Sequence, residues 1–187
     1  VSIEIYDIAG NTRTVTDAFF VKKDTTPPSY INGVFGGDNT WRRESGTTYN
    51  FSFSDNGSGL SGAKYEAWSL EGGSSGGGIE IKTLTEIPGV SGSSYNTPWQ
   101  VDFDALLESA ANYISIEFYD AASNSTTVTD AFFVLKDTTP PYIVNNQLGD
   151  DTEYESDPGA IFDVDFFDHN ASKLKDIYYS IHRLPNY

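Results

Sequence analysis

Five side chains from three separate stretches, Asp24, Asp55, Asn56, Asp120 and Asn124, carry the hard oxygen atoms that a divalent cation prefers. Ca²⁺ gathers about six to eight oxygens from carboxylates, amides, carbonyls and water. If the linker at Asp24 and the loops DNGSGL (55–60) and DAASN (120–124) meet at one end of a domain, these five residues form a calcium site. A second junction offers Asp137 and Asp168, with His169, a poor ligand for a hard cation, where the first has Asn56. Turn chemistry explains each residue separately, since Asp, Asn and Gly form Asx-turns and tolerate positive φ without any metal. There is no contiguous EF-hand loop and no nonapeptide calcium repeat.

Other chemistry is thinner. Four N-x-S/T triplets, at Asn50, Asn56, Asn124 and Asn170, are glycan acceptors if the chain is exported. Trp41, Trp68 and Trp99 raise a sugar-stacking face, although one tryptophan per strand more often packs a core or an edge. The only histidines are His169 and His182, and no nucleophile elbow, HExxH helix or phosphate loop is present. The expectation is therefore a protein that is not an enzyme.

Composition sets the frame for these residues. Of 187 residues 38% are apolar and 14% aromatic, with twelve Tyr and twelve Phe, the make-up of pleated, half-buried surfaces. With 27 acidic against 11 basic residues the net charge is −16, which repels nucleic acid and attracts cations. No cysteine is present for a disulfide or a thiolate site. No apolar run of roughly 20 residues exists to span a membrane as a helix. Opening at Val1 without initiator or signal peptide, the chain reads as a piece of a longer polypeptide.

What positions the candidate residues is a repeat. KDTTPP stands at 23–28 and again at 136–141, an offset of 137 − 24 = 113. At that offset VSIEIYDIAGNTRTVTDAFFVKKDTTPP aligns with ISIEFYDAASNSTTVTDAFFVLKDTTPP without a gap, and TYNFSFSDN (48–56) falls on IFDVDFFDH (161–169). A domain-sized unit is repeating. Residues 1–24 are then the last strands of one module, 25–137 a complete module and 138–187 the start of a third. The cut modules are completed either by a continuing chain or by strands donated from another copy, because an open half-sandwich leaves strand edges bare.

The complete module reads as about seven strands: YINGVF (30–35), the alternating Tyr49, Phe51 and Phe53, AKYEAWSL (63–70), IEIKTL (79–84), WQVDF (99–103), NYISIEFYD (112–120) and TTVTDAFFVL (126–135). EGGSSGGG (71–78) reads as a mobile connection, IPGVSGSS (87–94) as loop and DALLESA (104–110) as a helical turn. The spacing predicts an all-β, immunoglobulin-like sandwich.

These motifs resemble the tandem bacterial and archaeal Ig-like domains of large surface proteins, in which a D-x-A-G-N stretch precedes the last strand and D-T-T-x-P joins modules. DIAGN (7–11) keeps the motif, and DAASN departs from it at Ser123. The resemblance implies tandem sandwiches outside the cell, acting as a stalk, adhesin arm or filament component of a microbial surface. Partners would be neighbouring modules, other copies in a filament, or surface glycans; the alternatives are a carbohydrate-binding accessory module of a surface enzyme and a strand-donating filament subunit. Tyr113 stands where such folds place a tyrosine corner, whose hydroxyl bonds to upstream backbone.

Overall fold

A computed structural model describes residues 1–147, 162–169 and 172–182. Its regular structure is β throughout, apart from one 3-10 turn at Phe103–Ala105. A hairpin of β1 (Ile3–Tyr6) and β2 (Thr12–Val15) comes first. There follow β3 (Ser29–Asn32), β4 (Asp38–Arg42), β5 (Phe51–Ser54), β6 (Leu60–Trp68), β7 (Glu80–Glu86), β8 (Ser94–Tyr95), β9 (Ala110–Asp120) and β10 (Ser125–Lys136). A last pair, β11 (Tyr142–Asn145) and β12 (Val164–Phe167), closes the described strands.

β3 to β10 form two sheets, ordered β4-β10-β9-β6-β7 and β3-β5-β8. Alternation decides which face each strand buries. Phe51 and Phe53 of β5 are buried and Ser52 and Ser54 are not; Ile114, Ile116 and Phe118 of β9 are buried and Tyr113, Glu117 and Tyr119 are only partly covered. The buried faces meet, with the Phe53 and Phe118 rings 4.8 Å apart and the Tyr49 and Phe132 rings stacked at 4.6 Å. The result is a β-sandwich with immunoglobulin-like connectivity. The buried hydrophobic cluster among the described residues runs from Tyr49 to Val134. Burying one such phenylalanine stabilises by about 1.5–3 kcal/mol, and Phe118→Ala would cost about 3–5 kcal/mol because it also leaves a cavity.

Several local expectations change. β3 stops at Asn32, whose side chain accepts the Val34 N–H at 2.9 Å and turns the chain, so YINGVF is half strand and half turn. WQVDF makes only an isolated bridge, Tyr49 to Trp99, before Phe103 enters the 3-10 turn, so the expected strand there is not formed. DALLESA shortens to that 3-10 turn, and Ala110 already belongs to β9. Ser94, expected in a loop, and Tyr95, given no assignment, pair with β5. β4 had no sequence signal: DNTWR does not alternate, yet it lies parallel to the end of β10, with Trp41 opposite Leu135 and Arg42 opposite Lys136. Asp38 holds this strand, its carboxylate accepting from Arg42 Nε at 2.9 Å. Burial pushes the Asp38 carboxyl up, but the bonds from Arg42 and the Thr40 amide outweigh it and leave the carboxyl below its ordinary range. EGGSSGGG is not a free tether; it folds into consecutive turns, with Gly78 N–H on the Gly73 carbonyl at 2.9 Å and Gly72 N–H on Asp130 Oδ2.

The tyrosine corner is also displaced by one residue. Tyr113 is half-buried beside Phe133, and its hydroxyl makes no hydrogen bond among the described residues. Asn112, wholly buried, does that work: its Oδ1 accepts the Leu107 N–H at 2.7 Å, and its Nδ2 donates to the carbonyls of Leu107, Ala110 and Val134.

Candidate functional site

The end of the sandwich where the chain enters is built by three short segments. β5 runs into DNGSGL, β9 turns into β10 through DAASN, and the linker carrying Asp24 crosses beside both. The two loops are bonded to each other, Ala121 N–H to the Gly59 carbonyl at 2.8 Å and Ala122 N–H to Ser58 Oγ at 3.0 Å. Three carboxylates converge there: oxygens of Asp24, Asp55 and Asp120 lie within 4.8 Å of one another. Asp55 and Asp120 are 4% and 2% exposed, and none of the three joins an ion pair among the described residues.

Backbone N–H groups already serve most of these oxygens. Asp24 Oδ1 accepts from Thr26 N–H at 3.0 Å and Oδ2 from Ser58 N–H at 2.6 Å, and these bonds hold its carboxyl below the ordinary carboxylate range. Asp55 Oδ2 accepts from Gly57 and Gly59, and Asp120 Oδ1 from Ala122 and Asn124. The Asn124 amide nitrogen donates to Asp120 Oδ2 at 2.7 Å and to the Asp24 carbonyl at 3.4 Å. It therefore ties the Asp120 carboxylate to the linker backbone as a donor. Asn56 is exposed and lines a shallow pocket together with Asp24 and Asp55. At Gly57 a Cβ would sit 2.1 Å from Asp24 Oδ2, so this glycine is the opening through which the linker reaches the loop.

The donor set fits a hard cation through its three carboxylates, with water needed to reach the usual six or more oxygens. Carboxylates this close repel one another when both carry charge. The surrounding N–H dipoles offset part of that repulsion.

At the second junction, Asp137 is buried and its Oδ1 accepts from Thr139 N–H at 3.2 Å, as Asp24 does from Thr26. Asp168 accepts from Ser172 Oγ at 3.1 Å. Neither belongs to a three-acid group among the described residues. The repeat partner of Asp120 would be 120 + 113 = 233, a position outside the 187 residues. His169 lies against Tyr142, their rings 4.6 Å apart.

The other candidates separate. Asn50 and Asn56 are exposed, Asn124 is tied into the cluster, and Asn170 lies outside the described residues. Trp99 is core, 5.3 Å from the Tyr65 ring, while Trp41 on β4 and Trp68 on β6 are separated by β10 and β9 and share no stacking platform.

Sequence reasoning missed the side chains that hold the linker from its other side. Lys136 is buried and donates to the carbonyls of Phe103, Asp104 and Leu106 at 3.0–3.3 Å, with its ammonium over the Phe103 ring. Glu108 receives the Thr138 N–H and the hydroxyls of Thr138 and Thr139. The retained lysine at 23 and 136 was the available signal for the first; Glu108 had none. No helix among the described residues is long and apolar enough to cross a membrane. Comparison with protein-family models, with curated proteins and with solved structures finds no match to this chain.

Proposed function

We propose that the chain is a structural, tension-carrying segment of a long extracellular tandem Ig-like repeat protein, a stalk, adhesin arm or surface filament of a microbe, with no catalytic role. The observation that carries this reading is the parallel pairing of β4 with β10, the strands near the entry and exit of the central unit. Tension applied at the two ends pulls them in opposite directions along their length. Their ladder is then sheared, with Asp137 N–H on the Arg42 carbonyl at 3.0 Å extending it, and its bonds are loaded together instead of being unzipped singly.

The linker supports the same reading. KDTTPP has one set of partners behind it, seen at Lys136, Thr138 and Thr139, and another ahead of it, seen at Asp24. Superposed by the repeat, the two copies describe a joint gripped from both sides, and its proline pairs restrict the backbone further. Pulling single molecules of the full chain from residue 1 to residue 187 tests the proposal. The expected trace has one abrupt rip releasing roughly 350–400 Å, since about 113 residues extend to about 3.5 Å each. Smooth lengthening without a rip would sink it.

A second reading concerns the acidic cluster. The approach of two buried carboxylates and Asp24 without a cationic side chain favours a Ca²⁺ ion that stiffens the joint. Calorimetric titration of the full chain with CaCl₂ should show one site that Asp120→Asn removes; no heat of binding at millimolar calcium rejects it and leaves the N–H network as the whole explanation.

A further inference from the structure

Beside β10 the central unit holds an open cavity of about 560 Å³, within the usual range for small-ligand sites. Its lining runs from residue 30 to residue 133, so it belongs wholly to that unit and involves neither the linkers nor the acidic cluster. Three segments build it. The turn between β3 and β4 brings Phe35, Gly36 and Gly37, the glycine-rich connection after β6 brings Glu71, and the corner of β10 brings Asp130. All three segments use left-handed backbone: φ is 86 and 85 at Gly36 and Gly37, 81 at Gly72 beside Glu71, and 50 at Asp130. At Gly37 a Cβ would sit 2.2 Å from the Phe133 ring, so this turn lies directly on that ring.

Asp130 is the exception among these residues, because left-handed backbone is ordinary for glycine and uncommon for the rest. It stands where the β9–β10 ladder breaks, between Val128 and Phe132. Its N–H donates to Ser115 Oγ at 3.2 Å, and its Oδ2 accepts from Gly72 N–H. Those bonds explain why an aspartate pins the glycine-rich connection here. They leave the other oxygen unexplained: Oδ1 is buried and has no hydrogen-bond partner among the described residues. A buried carboxylate oxygen without a donor is unfavourable, so a donor arriving through the cavity that Asp130 lines would be held there.

The rest of the lining selects the class of donor. Tyr30, Phe35, Tyr113 and Phe133 line the cavity together with Glu71 and Asp130, and no Lys or Arg is among the lining residues. Phe35 is 90% exposed and Tyr30 45%, so ring surface is on offer at the mouth. Aromatic faces attract cations, and a carboxylate binds an ammonium through charge-assisted hydrogen bonds. A net charge of −16 raises the concentration of cations around the whole surface. We propose that this cavity binds a primary ammonium group on an aliphatic stem, Asp130 accepting from the ammonium and the aromatic side chains packing on the stem. A lysine side chain of a partner protein and a free alkyl diamine share this chemistry. The site goes beyond the structural role proposed above and does not depend on it.

Pentylammonium is the probe, titrated into the full chain at constant ionic strength and followed by NMR. It should saturate one site, while 1-pentanol, of equal length but neutral, should bind at least about tenfold more weakly. Asp130→Asn should weaken pentylammonium by about tenfold or more; asparagine tolerates left-handed backbone and still offers Gly72 an acceptor, so the corner is kept. Phe35→Ala, at an exposed position, should weaken it by about two- to fivefold. Glu44→Gln, which removes an exposed carboxylate outside the cavity, should change nothing. Nα-acetyl-lysine amide and 1,5-diaminopentane then separate the two sources, the tighter binder naming the one the cavity fits. No saturable binding at tens of millimolar, 1-pentanol binding as well as the ammonium, or an affinity indifferent to Asp130→Asn overturns the proposal.

Discussion

Replacing Asn112 by alanine should be the most damaging single change to a polar side chain in the central sandwich. Asn112 is fully buried and its amide makes four hydrogen bonds that tie the 3-10 segment to the first residues of β9 and to β10. Alanine leaves the Leu107 N–H without its acceptor and removes the Nδ2 donor from three carbonyls. A buried group that loses its partner costs about 1–3 kcal/mol and each net bond about 1 kcal/mol, so the sum is about 3–5 kcal/mol. Set against a typical domain stability of about 5–15 kcal/mol, that is a large fraction. Urea denaturation of the full chain, followed through the fluorescence of buried Trp99, should show the midpoint falling by about 2–3 M for a slope near 1.5 kcal/mol/M. Tyr113→Phe is the matched control, because its hydroxyl has no partner among the described residues; it should change stability by less than about 0.5 kcal/mol. If Asn112→Ala costs under about 1 kcal/mol, or Tyr113→Phe costs more than it, the assignment of the corner to Asn112 is wrong.

Ser123 holds φ 68 in the loop where the first copy has Gly10 at φ 86, so Ser123→Gly should stabilise the sandwich by about 1 kcal/mol, measurable as a higher urea midpoint. Lys82 bonds Asp102 at 2.6 Å and that bond holds the Asp102 carboxyl below its usual value of 3.8. A carboxylate depressed on folding stabilises above its unfolded pKa and loses that contribution as pH falls through the folded one. The stability gap between the parent and Lys82→Met should therefore be full at neutral pH and close below about pH 4, as seen in parallel denaturation curves. Gly57→Ala places a methyl group on Asp24 Oδ2 and should free the linker, making the bond after Lys23 faster to cleave by trypsin while the core melts at nearly the same temperature.

The strands that alternate were legible, and those that borrow their order from neighbours were not. β5 and β9 announce themselves through Phe, Tyr and Ile at every second position, β6 through the alternating Ala63, Tyr65 and Ala67, and β10 through its apolar end AFFVL (131–135). β4 and β8 are held by contacts distant in sequence, β4 by the tail of β10 and β8 by β5, so no local pattern could mark them. WQVDF misled for the opposite reason. Its Trp99, Val101 and Phe103 alternate and are buried, yet the backbone between them leaves the ladder. At the cluster, the convergence of Asp24, Asp55 and Asp120 followed from the order of loops in such a sandwich. That Asn124 presents its nitrogen and Asn56 faces solvent depends on hydrogen-bond geometry, to which residue type is blind.

The two-sided grip on KDTTPP makes the joint common property of the units it connects. Lys136 and the paired threonines are fastened to the unit just ended, and at the matching position Asp24 is fastened to the unit about to begin. Melting either unit thus strips its neighbour of a bonded strap. Stability along such a chain behaves as a nearest-neighbour problem, with an interface energy at every joint. In the proposed array a break should spread most easily to the adjoining unit and a unit at a free end should be the weakest, so array length would itself set strength.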